Sequence, residues 1–390
     1  MTPTPLLHVI TRLIVGGAQE NTMLTAALLD PRRYAVDVIS GPQTGPEGSL
    51  IEEIRARGVP LDIYPDLRRE IAPWRDLKAL LQLTRRMRRE RYTIVHTHSS
   101  KAGVLGRLAA KLAGVPVIVH TVHGWSFHEH MSPLRRRLFV TLEKLAASFT
   151  DAMIVVAAPD IAKGLREGIG RPEQYHLIRS AISLERFDPT AVDGVAVRRE
   201  LDLPPDAPVL GNVGRFSAQK NPLDWVRVAA RVARALPDCR FLLVGDGPLR
   251  AEVEALIAAE RLSDRFVLTG LRRDVPRMLA AMDVFLLTSL WEGLPRVIPQ
   301  AMSMRVPVVA NRADGTVEAI AHGETGFLAD PGDLDALAQH CLTLLRAPER
   351  RRAMGERGRA FATREFDVRE MVARIDRLYR TLLAQHRSQD

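Results

Sequence analysis

With 390 residues, of which 46% are hydrophobic and 26% charged, the chain has the composition of a soluble globular protein long enough for two cores. Disorder, a fibre and a disulfide scaffold are excluded, since Cys239 and Cys341 are isolated and there is no low-complexity tract or repeat. The formal charge of +9 is concentrated in residues 1–190, where 26 Lys and Arg face 19 Asp and Glu, an excess that would suit nucleic acid, an anionic membrane or an acidic substrate.

The N-terminus lacks a basic start, and no apolar run approaches the roughly 18 residues of a membrane span, so the chain is expected to be cytoplasmic. Leu7–Ile10 reads as the first strand. It feeds Gly16 and Gly17, a pair that lets backbone approach a ligand, and then a helix over Thr22–Leu29. Tyr34–Ile39 and Leu61–Tyr64 read as strands around a helix at Ser49–Arg57. Trp74–Arg91 has a helical pattern with a basic end at Arg85, Arg86, Arg88, Arg89 and Arg91, and Arg135–Arg137 forms a second cluster. Such clusters fit a solvated face or an anionic membrane, where each basic residue contributes about 1 kcal/mol.

Tyr92–His98 and Val117–His123 read as strands with polar ends, separated by a helix over Val104–Ala113. His96, His98, His120, His123, His128 and His130 raise the question of a metal. No cysteine and no His-Glu-x-x-His spacing accompanies them, so no metal site is expected. Leu134–Phe149 reads as an amphipathic helix, followed by strands at Ala152–Val156 and Ile178–Ile182. Residues 188–208, with Pro189, Gly194, Pro204, Pro205 and Pro208, have the composition of a linker, placing a boundary near 190.

The strand–helix alternation restarts at Pro208–Val213. Gly214, Arg215 and Lys220 lie on the loop before a helix over Leu223–Leu236, which puts two cations on one loop. Hydrogen bonds to charged groups contribute about 1.5–3 kcal/mol each, so such a loop suits an anionic ligand. Further strands are read at Phe241–Val244, Phe266–Gly270, Val284–Leu287, Val306–Ala310 and Gly326–Asp330. After Val284–Leu287 the turn Glu292, Gly293, Leu294, Pro295 precedes a helix, whose N-terminus favours a phosphate. Asp333 and Asp335 have an Asp-x-Asp spacing, read as helix capping. Val368–Gln385 reads as a closing helix.

Glu292 followed after seven residues by Gln300 resembles the Glu-x7-Glu motif of family 4 of the retaining glycosyltransferases, with a neutral acceptor in the second place. Gly16–Gly17, Arg215 with Lys220, His98–Arg107 and His120–Trp125 are similar to that family's loops, the last two to members building bacterial polysaccharides and lipid-linked glycans. The resemblance implies an α/β fold of two Rossmann-like domains facing a cleft, the GT-B arrangement. Residues 1–190 would bind acceptor, 191–367 the nucleotide sugar, and 368–390 would be a helix crossing back onto the first domain.

The implied reaction moves a sugar from a nucleoside diphosphate sugar to a hydroxyl of a glycan, with retention and without an obligatory metal or other cofactor. A UDP-sugar donor and a polyprenyl-diphosphate-linked acceptor are favoured. Glu292, His123, Arg215 and Lys220 would be catalytic. Gly16, Gly17, Gly214, Leu271, Arg272, Gly293, Leu294, Pro295 and Gln300 would hold the donor, and His98 and Lys101 the acceptor. The protein would work peripherally at the inner face of the cell membrane. The alternative is a non-catalytic sugar-nucleotide-binding partner in glycan assembly. Nucleic acid is not an expected partner, because no recognition helix or aromatic platform is present.

Overall fold

The computed structural model describes residues 2–43, 48–127 and 131–388, so His128 and His130 lie outside the described residues. The chain forms two compact units, residues 1–180 with 368–390, and residues 181–367.

The first unit alternates β1 (Thr4–Ile10), α1 (Gly17–Leu28), β2 (Tyr34–Ser40), α2 (Ile51–Ala56), β3 (Leu61–Ile63) and α3 (Pro73–Glu90). It continues with β4 (Ile94–His98), α4 (Ser100–Ala113), β5 (Val117–Val122), α5 (Pro133–Ala147), β6 (Ala152–Val155), α6 (Ala158–Arg166) and β7 (Tyr175–Leu177). The second unit holds α7 (Gly194–Glu200), β8 (Val209–Val213), α8 (Pro222–Ala235), β9 (Arg240–Val244), α9 (Arg250–Ala259), β10 (Phe266–Gly270) and α10 (Val275–Ala280). Then follow β11 (Val284–Leu287), α11 (Val297–Ser303), β12 (Val308–Asn311), α12 (Thr316–Ala319), β13 (Gly326–Ala329), α13 (Leu334–Leu345) and α14 (Pro348–Glu365). The last helix, α15 (Val368–Arg387), belongs to the first unit.

Both sheets are parallel. Their strand orders are β3-β2-β1-β4-β5-β6-β7 and β10-β9-β8-β11-β12-β13, so each reverses direction between its first and fourth strands. Parallel strands covered on both faces read as continuous apolar runs, as Val284–Leu287 does, all four residues being buried. Ligands of such sheets sit outside the carboxyl ends of the strands at the reversal. This rule selects the loops after β1 and β4 in one unit and after β8 and β11 in the other.

Helix packing explains which side chains line each core. In the second unit Trp225 of α8 is fully buried and donates its indole N–H to the Leu286 carbonyl at 3.0 Å, anchoring the helix on β11. In the first unit Leu83 and Met87 of α3 and Ala109 and Ala110 of α4 pack on Leu7, Val9 and Val95. On its opposite face α15 docks by Tyr379, whose hydroxyl lies 2.5 Å from His96 Nδ1, and by Asp376, which accepts from the Tyr34 hydroxyl at 2.8 Å.

Three expectations are corrected. Residues 188–208 are part of the second unit: Asp193 caps α7 by accepting from the amides of Val195 and Ala196 at 2.9 and 3.1 Å. Arg198 then reaches Asp283 at 2.8 Å, tying the helix under the sheet. Proline content hid a capped helix, and the units divide at residue 181. The expected strand at Ile178–Ile182 gives way to β7, because the edge of the sheet pairs Tyr175–Leu177 with Met153–Val155. The helices α6, α9, α10 and α14 add to the elements read from the sequence. Asp333 does cap α13, accepting from the Ala336 amide at 2.9 Å.

Candidate active site

In the second unit the loops after β8, β9 and β10 are knitted together. The Gly214 amide donates to the Val244 carbonyl at 2.9 Å, Phe216 to Asp246 at 2.9 Å, and Gly245 to Gly270 at 2.9 Å. Gly245 has φ 137, and a Cβ there would stand 2.0 Å from the Gly214 carbonyl oxygen, so only glycine fits. Arg215 lies on this braced loop and is half-buried.

Lys220, from the same loop, forms an ion pair with Glu292 from the loop after β11. Both loops are held from behind. The Thr288 hydroxyl donates to the carbonyls of Lys220 and Asn221 at 3.1 and 2.9 Å, and Asn311 Nδ2 donates to the Thr288 carbonyl at 2.9 Å. The Glu292 amide donates to Asp314 Oδ2 at 3.0 Å. Asn221 and Asp314 have φ 48 and 39, left-handed backbone that costs about 1–3 kcal/mol each and concentrates where function constrains the chain. Nothing in the spacing of Asp314 in the sequence pointed to Glu292.

Gly293 is half-buried, Leu294 and Pro295 are buried, and Gln300 stands half-buried on α11. Arg272 is committed elsewhere: its guanidinium binds Asp274 at 2.6 and 2.8 Å and Glu200 at 3.3 Å. The adjacent Leu271 is exposed.

In the first unit a cavity of about 170 Å³ is lined by Ala18, Ser99, His120, His123, Trp125 and Glu143, among others. Gly16 and Gly17 begin α1 immediately before Ala18. Ser99, at the end of β4, has φ 61, and its hydroxyl lies 2.8 Å from that of Thr11. His123 lies just beyond β5, its Nε2 3.3 Å from His98 Nδ1. His98 is itself buried, so it reaches the cavity only through His123. Lys101 pairs with Asp76 at 2.5 Å and donates to the Glu70 carbonyl, bracing α4 on α3.

Behind this cavity Arg107 is fully buried. It donates through Nε to the Gly103 carbonyl at 2.8 Å and through Nη2 to Glu143 at 2.6 Å. Glu143 was missed in the sequence, although an acid on the buried stripe of Val140, Ala146 and Ala147 was a signal. Burial pushes the pKa of His8 down to about 3 and holds those of His96, His98 and His120 well below the usual histidine range. These four rings are neutral, so they supply hydrogen bonds rather than charge.

Residues 16–181 match the family model described as glycosyl transferase 4-like domain, and residues 196–361 the one described as glycosyl transferases group 1. The chain is 34% identical over 337 residues to the UDP-Gal:alpha-D-GlcNAc-diphosphoundecaprenol alpha-1,3-galactosyltransferase of Escherichia coli, covering 85% of each. It is 28% identical over 312 residues to the alpha-D-kanosaminyltransferase of Streptomyces kanamyceticus, covering 78% of this chain and 81% of that relative. Among solved structures, Anabaena Alr3699/HepE in complex with UDP-glucose has a TM-score of 0.84 at 24% identity, covering 97% of this chain and 99% of that one. Sucrose-phosphate synthase from Thermosynechococcus elongatus gives 0.82 at 23%, covering 98% and 100%. These two likenesses show the two-sheet GT-B fold. No helix among the described residues is long and apolar enough to cross a membrane. The two matched models and the 34% identity across 85% of both chains show that this chain belongs to the glycosyl transferases group 1, with a glycosyl transferase 4-like first domain, and is a glycosyltransferase.

Proposed function

We propose that the protein transfers a hexosyl or N-acetylhexosaminyl group from a UDP-sugar to a hydroxyl of a polyprenyl-diphosphate-linked glycan, with retained configuration. The observation that carries this reading is the Lys220–Glu292 pair at the strand reversal of the second sheet. An acid suited to sugar hydroxyls sits there beside a cation suited to a diphosphate. The choice of donor and acceptor is supported by the Escherichia coli relative, whose name specifies UDP-Gal and a diphosphoundecaprenol-linked sugar.

Arg215 and Lys220 stabilise the charge that develops on the departing diphosphate, each contact contributing about 1.5–3 kcal/mol. The amides of Gly293 to Pro295 and the loop at Gly214 complete its binding, and Gln300 accepts from or donates to the ribose. Glu292 orients the transferred sugar, and His123 keeps the catalytic role that the resemblance implies for it. The leaving phosphate takes the proton of the acceptor hydroxyl as that oxygen bonds to the anomeric carbon on the face being vacated. Two cations provide the stabilisation for which a metal would otherwise serve, so no metal is assigned. In the first unit, the cavity bordered by His123, Ser99 and Glu143 receives the acceptor.

The first unit also rests on an anionic membrane surface, which puts the protein at the inner face of the cell membrane. Trp74, Leu77 and Leu81 form one exposed stripe of α3, with Trp74 81% exposed, and Lys78 and Arg85 lie on the same side. On α5, Leu134 is 80% exposed beside Arg135 and Arg137. Apolar anchors flanked by cations fit a bilayer with acidic headgroups.

The test is calorimetric binding of UDP, GDP and their sugar conjugates to the wild type and to Lys220→Ala, followed by transfer assays on a polyprenyl-diphosphate-linked sugar. Selective, Lys220-dependent binding of UDP with retained linkage in the product is expected. Binding of GDP instead, or an inverted product, overturns the reading.

A further inference from the structure

We propose that His8 and His98 are positioning residues, forming a buried relay that fixes His123 with its ring proton on Nδ1 and its Nε2 lone pair held by His98. The ring nitrogens run in series. His8 Nδ1 lies 2.9 Å from His98 Nε2, and His98 Nδ1 lies 3.3 Å from His123 Nε2. His8 on β1 stands beside His96 on β4, and His98 follows two residues further along β4. The chain of rings thus leads from the core of the first unit to the edge of its cavity.

A neutral imidazole has one donor and one acceptor. With His8 and His98 neutral, two proton arrangements satisfy both links. In the first, His8 Nδ1–H donates to His98, and His98 Nδ1–H donates to His123, leaving His8 Nε2 as a bare lone pair. In the second every donor is reversed, leaving His8 with a buried Nε2–H. His8 Nε2 has no partner among the described residues. A buried N–H without an acceptor is rarer and costlier than an unfilled lone pair, so the first arrangement prevails.

His8, His96 and His98 also have potential ligand atoms within 4.8 Å of one another, which raises a metal as the competing explanation. Both nitrogens of His96 are already engaged, by the Tyr379 hydroxyl at 2.5 Å and the Thr121 hydroxyl at 2.6 Å. The 2.9 Å between His8 and His98 is hydrogen-bond spacing, shorter than the roughly 3.3 Å between two nitrogens sharing one tetrahedral zinc. The geometry therefore favours protons over a cation.

The catalytic consequence rests on the catalytic role proposed for His123. Which nitrogen of a histidine donates is set by the hydrogen bond its other nitrogen makes. A partner that holds the wrong tautomer disables a well-placed ring.

Long-range proton–nitrogen spectra of protein carrying 15N-labelled histidine, recorded at about pH 8 where free imidazole is neutral, read the tautomer directly. His123 is assigned from its missing signals in His123→Gln. The expected result is a protonated Nδ1 and a bare Nε2 on His123 in the wild type. In His8→Phe the ring should populate the other tautomer, with kcat down on the order of tenfold while the donor KM holds. A protonated Nε2 on wild-type His123 overturns the relay, as does an unchanged His123 tautomer in His8→Phe. Stoichiometric zinc in the purified wild type that is lost in His8→Phe does the same. If His8→Phe does not fold, the wild-type spectrum still decides the proton direction. A shifted tautomer with unchanged kcat supports the relay and removes His123 from the transfer step, which separates this inference from the proposed function.

Discussion

The ammonium of Lys220 pairs with the carboxylate of Glu292 between the two loops that flank the strand reversal of the second sheet. Glu292 is 8% exposed and its amide is fixed by Asp314, so the acid cannot swing far. On the proposed reading, a diphosphate bound here competes with Glu292 for Lys220.

That competition predicts opposite effects of two substitutions on UDP binding. Lys220→Ala removes a charged contact of about 1.5–3 kcal/mol and should weaken UDP by roughly ten- to hundredfold in calorimetry. Glu292→Gln frees the ammonium from a partly exposed pair of about 0.5–1 kcal/mol, so UDP should bind about two- to fivefold tighter while kcat falls. If UDP bound more weakly to Glu292→Gln, the two side chains would not compete.

Arg107 and Glu143 are a buried pair behind the cavity of the first unit. Removing one partner strands a buried charge. Glu143→Leu alone should cost about 3–5 kcal/mol in denaturant unfolding of that unit, whereas Arg107→Met with Glu143→Leu should recover most of it. A double variant as unstable as the single one would show that the pair contributes packing rather than compensated charge.

His8, His96, His98 and His120 are held neutral by burial, with His8 lowered to about 3. Below their ordinary value near 6.5 the unfolded chain takes up protons that the folded chain refuses, so stability is complete above that pH and falls as the pH drops toward the folded values. Each ring contributes a slope of about 1.4 kcal/mol per pH unit. Chemical unfolding between about pH 6.5 and 5, above the carboxylate range, should therefore show a steep loss that His8→Phe reduces by one proton. A flat profile would mean that these rings charge without unfolding.

The exposed stripe of α3 gives a membrane prediction. Burying a large apolar side chain contributes about 1.5–3 kcal/mol, so Trp74→Ser with Leu77→Ser should lower partitioning onto anionic vesicles by at least tenfold. Flotation with neutral vesicles should recover little protein in either form. Equal flotation of wild type and variant would locate any membrane contact elsewhere.

The fold class was legible in the sequence because parallel strands buried on both faces write themselves as short apolar runs, such as Val284–Leu287, separated by amphipathic helices. The loops at Gly16, Gly214 and Glu292 were legible too, since glycine and proline mark where backbone must turn at a strand end. The fates of individual side chains were not. Lys101 and Arg272 have the charge of ligand-binding residues, and each also pairs with a carboxylate brought near by another element, Asp76 in one case and Glu200 in the other. Asp193 turned a proline-rich stretch into a capped helix, and Glu143 entered the site from a helix read only as amphipathic. Periodicity and turn chemistry are local, so the sequence by itself determined the elements, their alternation and the motif loops. Charge pairing and the His8–His98–His123 series depend on residues 25 to 90 positions apart or on the order of strands in a sheet, and only the tertiary structure decided those.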